Sequence, residues 1–149
     1  MGLDMYLKAE NFFWTHEENE SINEARKMIA DALQLKTSEV QSVSLNIGYW
    51  RKANWIHNWF VQNVQNGDDD CSQYFVTREQ LAELKQLCDQ LVASKDVNKA
   101  YTLLPPVEGF FFGNDDHYWE SLDYTSKIIN DILTRPQLAT FDLYYQSSW

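Results

Sequence analysis

The sequence predicts an α+β fold: a single compact domain of about four helices packed on a small sheet that contains both chain ends. Three observations carry this expectation. The chain has 149 residues, the size of one domain, and is 44% hydrophobic and 15% aromatic, enough apolar area to close a core without disulfides. Its first and last segments alternate apolar and polar residues at the period of a strand, while the stretches between repeat apolar residues at the period of a helix. With 5 Gly and 3 Pro and no internal repeat or linker, residues 1–149 read as one unit.

The elements follow in order. Leu3, Met5 and Leu7 alternate with Asp4, Tyr6 and Lys8, a half-buried strand over 3–8. Residues 10–20 read as an acidic loop anchored by Phe12, Phe13 and Trp14. Ser21 and Glu24 stand at capping-box spacing, and Ile22, Ala25, Met28, Ile29, Ala32 and Leu33 recur at helical intervals, predicting a helix to about Leu35. Val43, Leu45 and Ile47 alternate with polar neighbours as a second strand. From Tyr49 to Val64 the period turns helical, with Trp50, Ala53, Ile56, Phe60 and Val64 on one side, until Asn66-Gly67 and three aspartates break it. Tyr74 to Val76 is a short strand, and Thr77 with Gln80 opens a helix to about Ala93 that turns Leu81, Leu84, Leu87 and Leu91 inward. Pro105-Pro106 is a stop, and Gly109 to Gly113 is a strand or a buried loop. Asn114 to Asp116 cap a last helix, with Leu122, Ile129 and Leu133 facing in and Arg135-Pro136 ending it. The tail from Ala139 to Trp149 is the final strand.

Charge narrows the function classes. With 12 Lys+Arg against 22 Asp+Glu, the net charge of -10 repels phosphate backbones and anionic lipids, so neither nucleic acid nor a membrane is expected as a direct partner. Two cysteines make no disulfide framework: Cys88 falls on the leucine stripe of its helix, and Cys71 follows a run of aspartates that disfavours a thiolate nucleophile. A reducing cytoplasm suits both. No apolar stretch reaches the roughly 18 residues of a membrane span, and no signal-peptide pattern opens the chain.

The richest polar set lies in the aromatic segment: Trp50, Arg51, Asn54, His57 and Asn58. Read as one helix, Trp50, Asn54 and His57 share a side, and indoles interleaved with hydrogen-bonding groups can form a ligand-binding wall. The plainer reading is a part-buried helix whose tryptophans fill core and whose histidine and asparagines tie down backbone. His57 with Asp68, Asp69 and Asp70, and His117 with Asp115, Asp116 and Glu120, have metal-donor chemistry but no ligand spacing, so no metal or cofactor is expected. No GxSxG elbow, Walker motif or phosphate loop is present, and no catalytic residue is nominated.

The opening Met1-Gly2-Leu3-Asp4-Met5-Tyr6-Leu7, the segment Gly48-Tyr49-Trp50-Arg51-Lys52-Ala53-Asn54 continuing through Ile56-His57-Asn58-Trp59-Phe60-Val61, Asp69-Asp70-Cys71, Gly109 to Gly113 and Tyr144-Tyr145-Gln146-Ser147-Ser148-Trp149 resemble an uncharacterised family of small proteins encoded by phages, prophages and bacteria. The resemblance implies a bacterial cytoplasmic setting and no established activity. Taken with size and acidity, it leads to the expectation of a non-enzymatic module that binds a host protein, in its specific form an anti-defence inhibitor that mimics nucleic acid on a host enzyme. The carboxylates for that role are Glu17, Glu18, Glu20, Asp68, Asp69 and Asp70, with Tyr144 and Trp149 as aromatic contacts. The rival expectation is a small-molecule or nucleotide-binding protein, an enzyme or a sponge, using the aromatic Arg/Asn/His helix 50–59.

Overall fold

The computed structural model describes residues 2–16, 18–108 and 117–149, and within them the chain is α+β as expected, with five helices instead of about four. The elements are β1 (Asp4–Phe12), α1 (Glu20–Leu33), β2 (Ser42–Arg51), α2 (Asn54–Asn63), β3 (Tyr74–Phe75), α3 (Arg78–Ser94), α4 (Val97–Leu103), α5 (Tyr118–Thr134) and β4 (Asp142–Ser148), with short 3₁₀ turns at Thr37–Glu39 and Pro136–Leu138. The four strands form one antiparallel sheet in the order β2-β1-β4-β3, so both terminal strands lie at its centre.

Alternation along β1 splits the sheet into two unlike faces. Leu3, Met5, Leu7 and Ala9 are fully buried on the inner face, in register with Trp50 and Gly48 of β2 and with Leu143 and Tyr145 of β4. Ile56 and Phe60 of α2, Leu81, Leu84, Cys88 and Leu91 of α3, and Leu122, Ile129 and Ile132 of α5 belong to the same core. The leucine stripe of α3 and its capping box, in which Thr77 Oγ1 accepts from Gln80 N at 3.1 Å and Gln80 Oε1 from Thr77 N at 2.9 Å, match the sequence expectation. So does α5, ended by Arg135 and Pro136.

Several expectations are corrected. β1 runs on to Phe12, so Glu10 and Phe12 belong to a strand and not to the acidic loop. Pairing with β2 along its whole length carries it there. The cap of α1 is Asn19, whose Oδ1 accepts from Ser21 N and Ile22 N, and not the Ser21–Glu24 box. Helix α1 ends at Leu33 and buries only Ala30; Met28 and Leu33 stand 72% and 63% exposed. It closes a satellite cluster with Phe13 and Val40 instead of the main core. The segment from Tyr49 is not one helix: Tyr49, Trp50 and Arg51 finish β2 opposite Tyr6, Met5 and Asp4, and the chain turns at Lys52, at φ 57°, before α2 begins at Asn54. The stripe misled because a strand and a helix both turn Trp50 inward. Helix α4 was not expected; Asp96 caps it through Asn98 N and Lys99 N. The stretch Gly109 to Asp116, read as a strand or buried loop and then a cap, lies outside the described residues, as does Glu17.

Candidate functional site

Among the described residues, no helix of the main core packs on the outer face of the sheet, since those helices share the core of the other side. Register places Tyr6, Lys8, Glu10 and Phe12 of β1 there, with Tyr49, Asn46 and Ser44 of β2, Tyr144 and Gln146 of β4 and Phe75 of β3. The aromatic groups come in contacting pairs. Tyr6 and Tyr49 rings lie 5.5 Å apart, Phe75 meets Tyr144 edge-on at 5.8 Å, and Phe12 and Trp14 sit 6.5 Å apart at one end. Phe12, Tyr49 and Phe75 are 40%, 40% and 54% exposed, and Trp14 70%.

Polar side chains between these rings bond to one another across the strands. Lys8 Nζ donates to Gln146 Oε1 at 2.6 Å, and Gln146 Nε2 donates to the Cys71 carbonyl at 3.0 Å. Glu10 Oε1 accepts from Ser44 Oγ at 3.3 Å and from Gln73 Nε2 at 3.1 Å. Tyr49 donates its hydroxyl to Asp4 at 2.5 Å, and that carboxylate raises the Tyr49 phenol above its usual range. Burial does the same for Tyr144, helped by Asp142 and Glu10. These phenols stay neutral at pH 7, and the charged groups of the face, Lys8 and Arg51 with Asp4, Glu10 and Asp142, are of mixed sign on a strongly acidic protein.

The structure divides the sequence-predicted site. His57 is 2% exposed and points away from the open face: its Nδ1 meets Tyr145 Oη at 2.7 Å and its Nε2 meets Asp69 Oδ2 at 3.0 Å. Carboxylate, imidazole and hydroxyl in line have the form of an acid–base relay. Tyr145, however, is fully buried and stacked on Phe60 at 3.9 Å, and burial, then Asp69 and Cys71, drive its phenol well above the usual range. No substrate reaches that hydroxyl, so the relay joins α2, the loop at 68–70 and β4. Asn54 is buried too, its Oδ1 accepting from Val107 N at 2.7 Å. Asn58 is half-buried on α2. Trp50 lies in the core with its indole donating to Thr125 Oγ1 at 2.8 Å, so the expected shared side of Trp50, Asn54 and His57 is not formed.

Of that set Arg51 reaches a surface cleft. With Lys52, Ala53, Trp55, His117 and Ser121 it lines about 420 Å³, and its guanidinium is 3.8 Å from Asp4. Among the nominated carboxylates Asp69 is taken up by His57 and by the Trp149 indole at 3.0 Å, and Asp70 by Ser72 N and the Tyr74 hydroxyl. Asp68, Glu18 and Glu20 are exposed. Tyr144 is on the open face as a contact residue would be, while Trp149 is 43% exposed and docked through Asp69. Tyr6, Tyr49 and Phe75 of this face were not singled out by the sequence. The signal for Tyr6 was present, since the alternation of the first strand already put it on the polar side. Among the described residues no group of three or more His, Cys, Asp or Glu is placed to hold a metal ion, and no helix is long and apolar enough to cross a membrane.

Comparison with protein families, with curated proteins and with solved structures finds no match to this chain.

Proposed function

We propose that this protein acts by binding another protein through the open face of its sheet. The observation that carries the reading is a rigid strand surface with aromatic rings exposed and the intervening polar groups already bonded to each other. Tyrosine and phenylalanine on a fixed scaffold bury large area at small entropic loss, and polar groups such as Lys8, Glu10 and Gln146 that already hydrogen-bond within the face keep those bonds when water leaves it. The phage-type resemblance makes a host protein in the bacterial cytoplasm the partner, with an enzyme of a defence system as the specific form of the reading. Phosphate mimicry is the weaker version, because Asp69 and Asp70 are engaged internally. The test is affinity capture from a bacterial host with the wild-type chain and with Tyr49→Ser/Phe75→Ser, at low and high salt. A stoichiometric partner that survives salt and is lost with the double variant supports face binding. A partner retained by the variant, or released by salt alone, rejects it.

The Arg51 cleft favours a second reading, a small anionic ligand held by Arg51 and Lys52. A nucleotide thermal-shift screen decides it: stabilisation abolished by Arg51→Ala supports the cleft, and a flat screen removes it.

A further inference from the structure

The chain has two adjacent pairs of cations, and the fold treats them differently. Arg26 and Lys27 are engaged, Arg26 Nε donating to the Val40 carbonyl at 2.7 Å and Lys27 Nζ to Asp31 at 2.8 Å. The guanidinium of Arg51 instead stands 3.8 Å from Asp4, beyond hydrogen-bond distance, and among the described residues no hydrogen bond engages the Lys52 ammonium. The turn that presents this second pair is fixed on both sides. Lys52 is left-handed at φ 57°, its N–H donates to the Leu3 carbonyl at 2.8 Å, and its carbonyl accepts from Asn54 N at 3.1 Å. Two clefts, of about 420 and 370 Å³, share Arg51, Ala53, His117 and Ser121 in their lining; Lys52 stands in the first, while Tyr49 and Tyr124 wall the second. Tyr124 is 46% exposed there. The floor is tied down, since Ser121 Oγ accepts from Trp55 Nε1 at 2.7 Å and donates to the Tyr118 carbonyl at 2.8 Å. Glu120 is the carboxylate of the second cleft, and it meets His117 Nδ1 at 3.1 Å.

We propose, resting on the reading of the Arg51 cleft as a site for a small anion, that the two clefts together bind a nucleoside monophosphate, its phosphate on Arg51 and Lys52 and its base against the ring of Tyr124. A guanidinium whose N–H groups are not taken up pairs with phosphate oxygens two at a time, and the neighbouring ammonium supplies the second charge. Inorganic phosphate or a sugar phosphate would leave the phenol rings of the second cleft in water, whereas a planar base stacks on such a ring and covers it. Charge limits the number of phosphates. Two cations balance one phosphate dianion, and on a body of net charge -10 each further phosphate adds repulsion. Both clefts fall in the size range of small-ligand sites, roughly 300–1,000 Å³, and their shared lining gives phosphate and base separate places joined at Arg51. Tyr124 lies on α5 and not on the open face of the sheet, so this site and that face are separable.

Equilibrium dialysis of the full chain against adenosine 5′-monophosphate, ribose 5-phosphate and inorganic phosphate tests this, for the wild type, Arg51→Gln, Lys52→Asn and Tyr124→Ser. Asparagine tolerates the left-handed backbone at position 52, and Tyr124 is exposed, so the fold is kept; circular dichroism checks each variant. The expected result is that the nucleotide binds at least about tenfold more tightly than ribose 5-phosphate, that Tyr124→Ser removes this difference, and that Arg51→Gln and Lys52→Asn each weaken nucleotide binding at least about tenfold. Ribose 5-phosphate bound as tightly as the nucleotide overturns the inference and leaves the anion cleft standing. No binding of any of the three at millimolar concentration overturns both. A nucleotide bound equally well by Tyr124→Ser, or by both cation variants, sits elsewhere on the chain, and that result also overturns the inference.

Discussion

At the scale of single residues, the structure turns on His57. It is the most chemically suggestive side chain in the sequence, and it is buried between Tyr145 and Asp69 with both ring nitrogens engaged. Those bonds join an α2 side chain, a loop carboxylate and a β4 hydroxyl, so the imidazole acts as a brace. Tyr145→Phe removes a hydroxyl from a fully buried site and with it the bond to His57 Nδ1, at a cost of about 1–3 kcal/mol. Denaturant unfolding measures it; an unchanged midpoint would show that the brace is not needed. Cys88 shows how burial alone sets chemistry: its thiol is pushed up to about 12 by desolvation, with Asp89 adding to it, which leaves it an inert core residue as the leucine stripe implied.

Among elements, β2 and α5 approach closely at Gly48. A Cβ on Gly48 would lie 3.2 Å from Ile128 Cγ2, 3.2 Å from Leu7 Cβ and 3.3 Å from the Trp50 ring. Leu7 Cβ is fixed by its own backbone, and Trp50 is pinned by Thr125, so neither neighbour can yield. Gly48→Ala is therefore expected to destabilise by about 1–3 kcal/mol through overpacking, measured by calorimetry; a stabilised variant would mean that α5 can shift outward. Helix α1 sits at the other extreme. It meets the satellite cluster of Phe13 and Val40, with Arg26 Nε donating to the Val40 carbonyl at 2.7 Å and its guanidinium 5.8 Å over the Phe13 ring. The periodicity of α1 was legible while its partner was not, because an apolar stripe says that a helix packs and is silent on what it packs against.

For the whole molecule, the excess of carboxylates governs the response to pH. The carboxyl of Asp70 is held below its usual value by the Ser72 backbone N–H, with further help from the Ser72 and Tyr74 hydroxyls. Burial works to raise Asp89, and hydrogen bonds from Lys85 and Ser126, with the Lys85 charge, outweigh it and lower it. A carboxyl lowered by folding contributes stability above its unfolded value near 3.8 and loses that contribution as pH falls through the folded value. Self-repulsion of the acidic chain acts in the opposite sense, easing as pH falls from neutral. The melting temperature is expected to peak between about pH 4 and 6 and to drop below about pH 4. Calorimetry from acid to neutral checks this, and a melting temperature still climbing below that limit would contradict it.

Strand and helix periodicity, the Thr77 cap, the buried Cys88 and the pairing of both chain ends in one sheet were all readable from local pattern, because alternation and helical spacing record which side of an element meets the core. Pairing partners are not recorded that way. Register with β1 extended β2 through Tyr49, Trp50 and Arg51, which moved Tyr49 to the open face, Trp50 to the core and Arg51 to a cleft, and separated all three from His57. Hydrogen bonds between residues far apart in the chain, such as His57 to Tyr145 and Lys8 to Gln146, likewise depend on strand order, which follows from how the whole chain closes its core and not from any single segment.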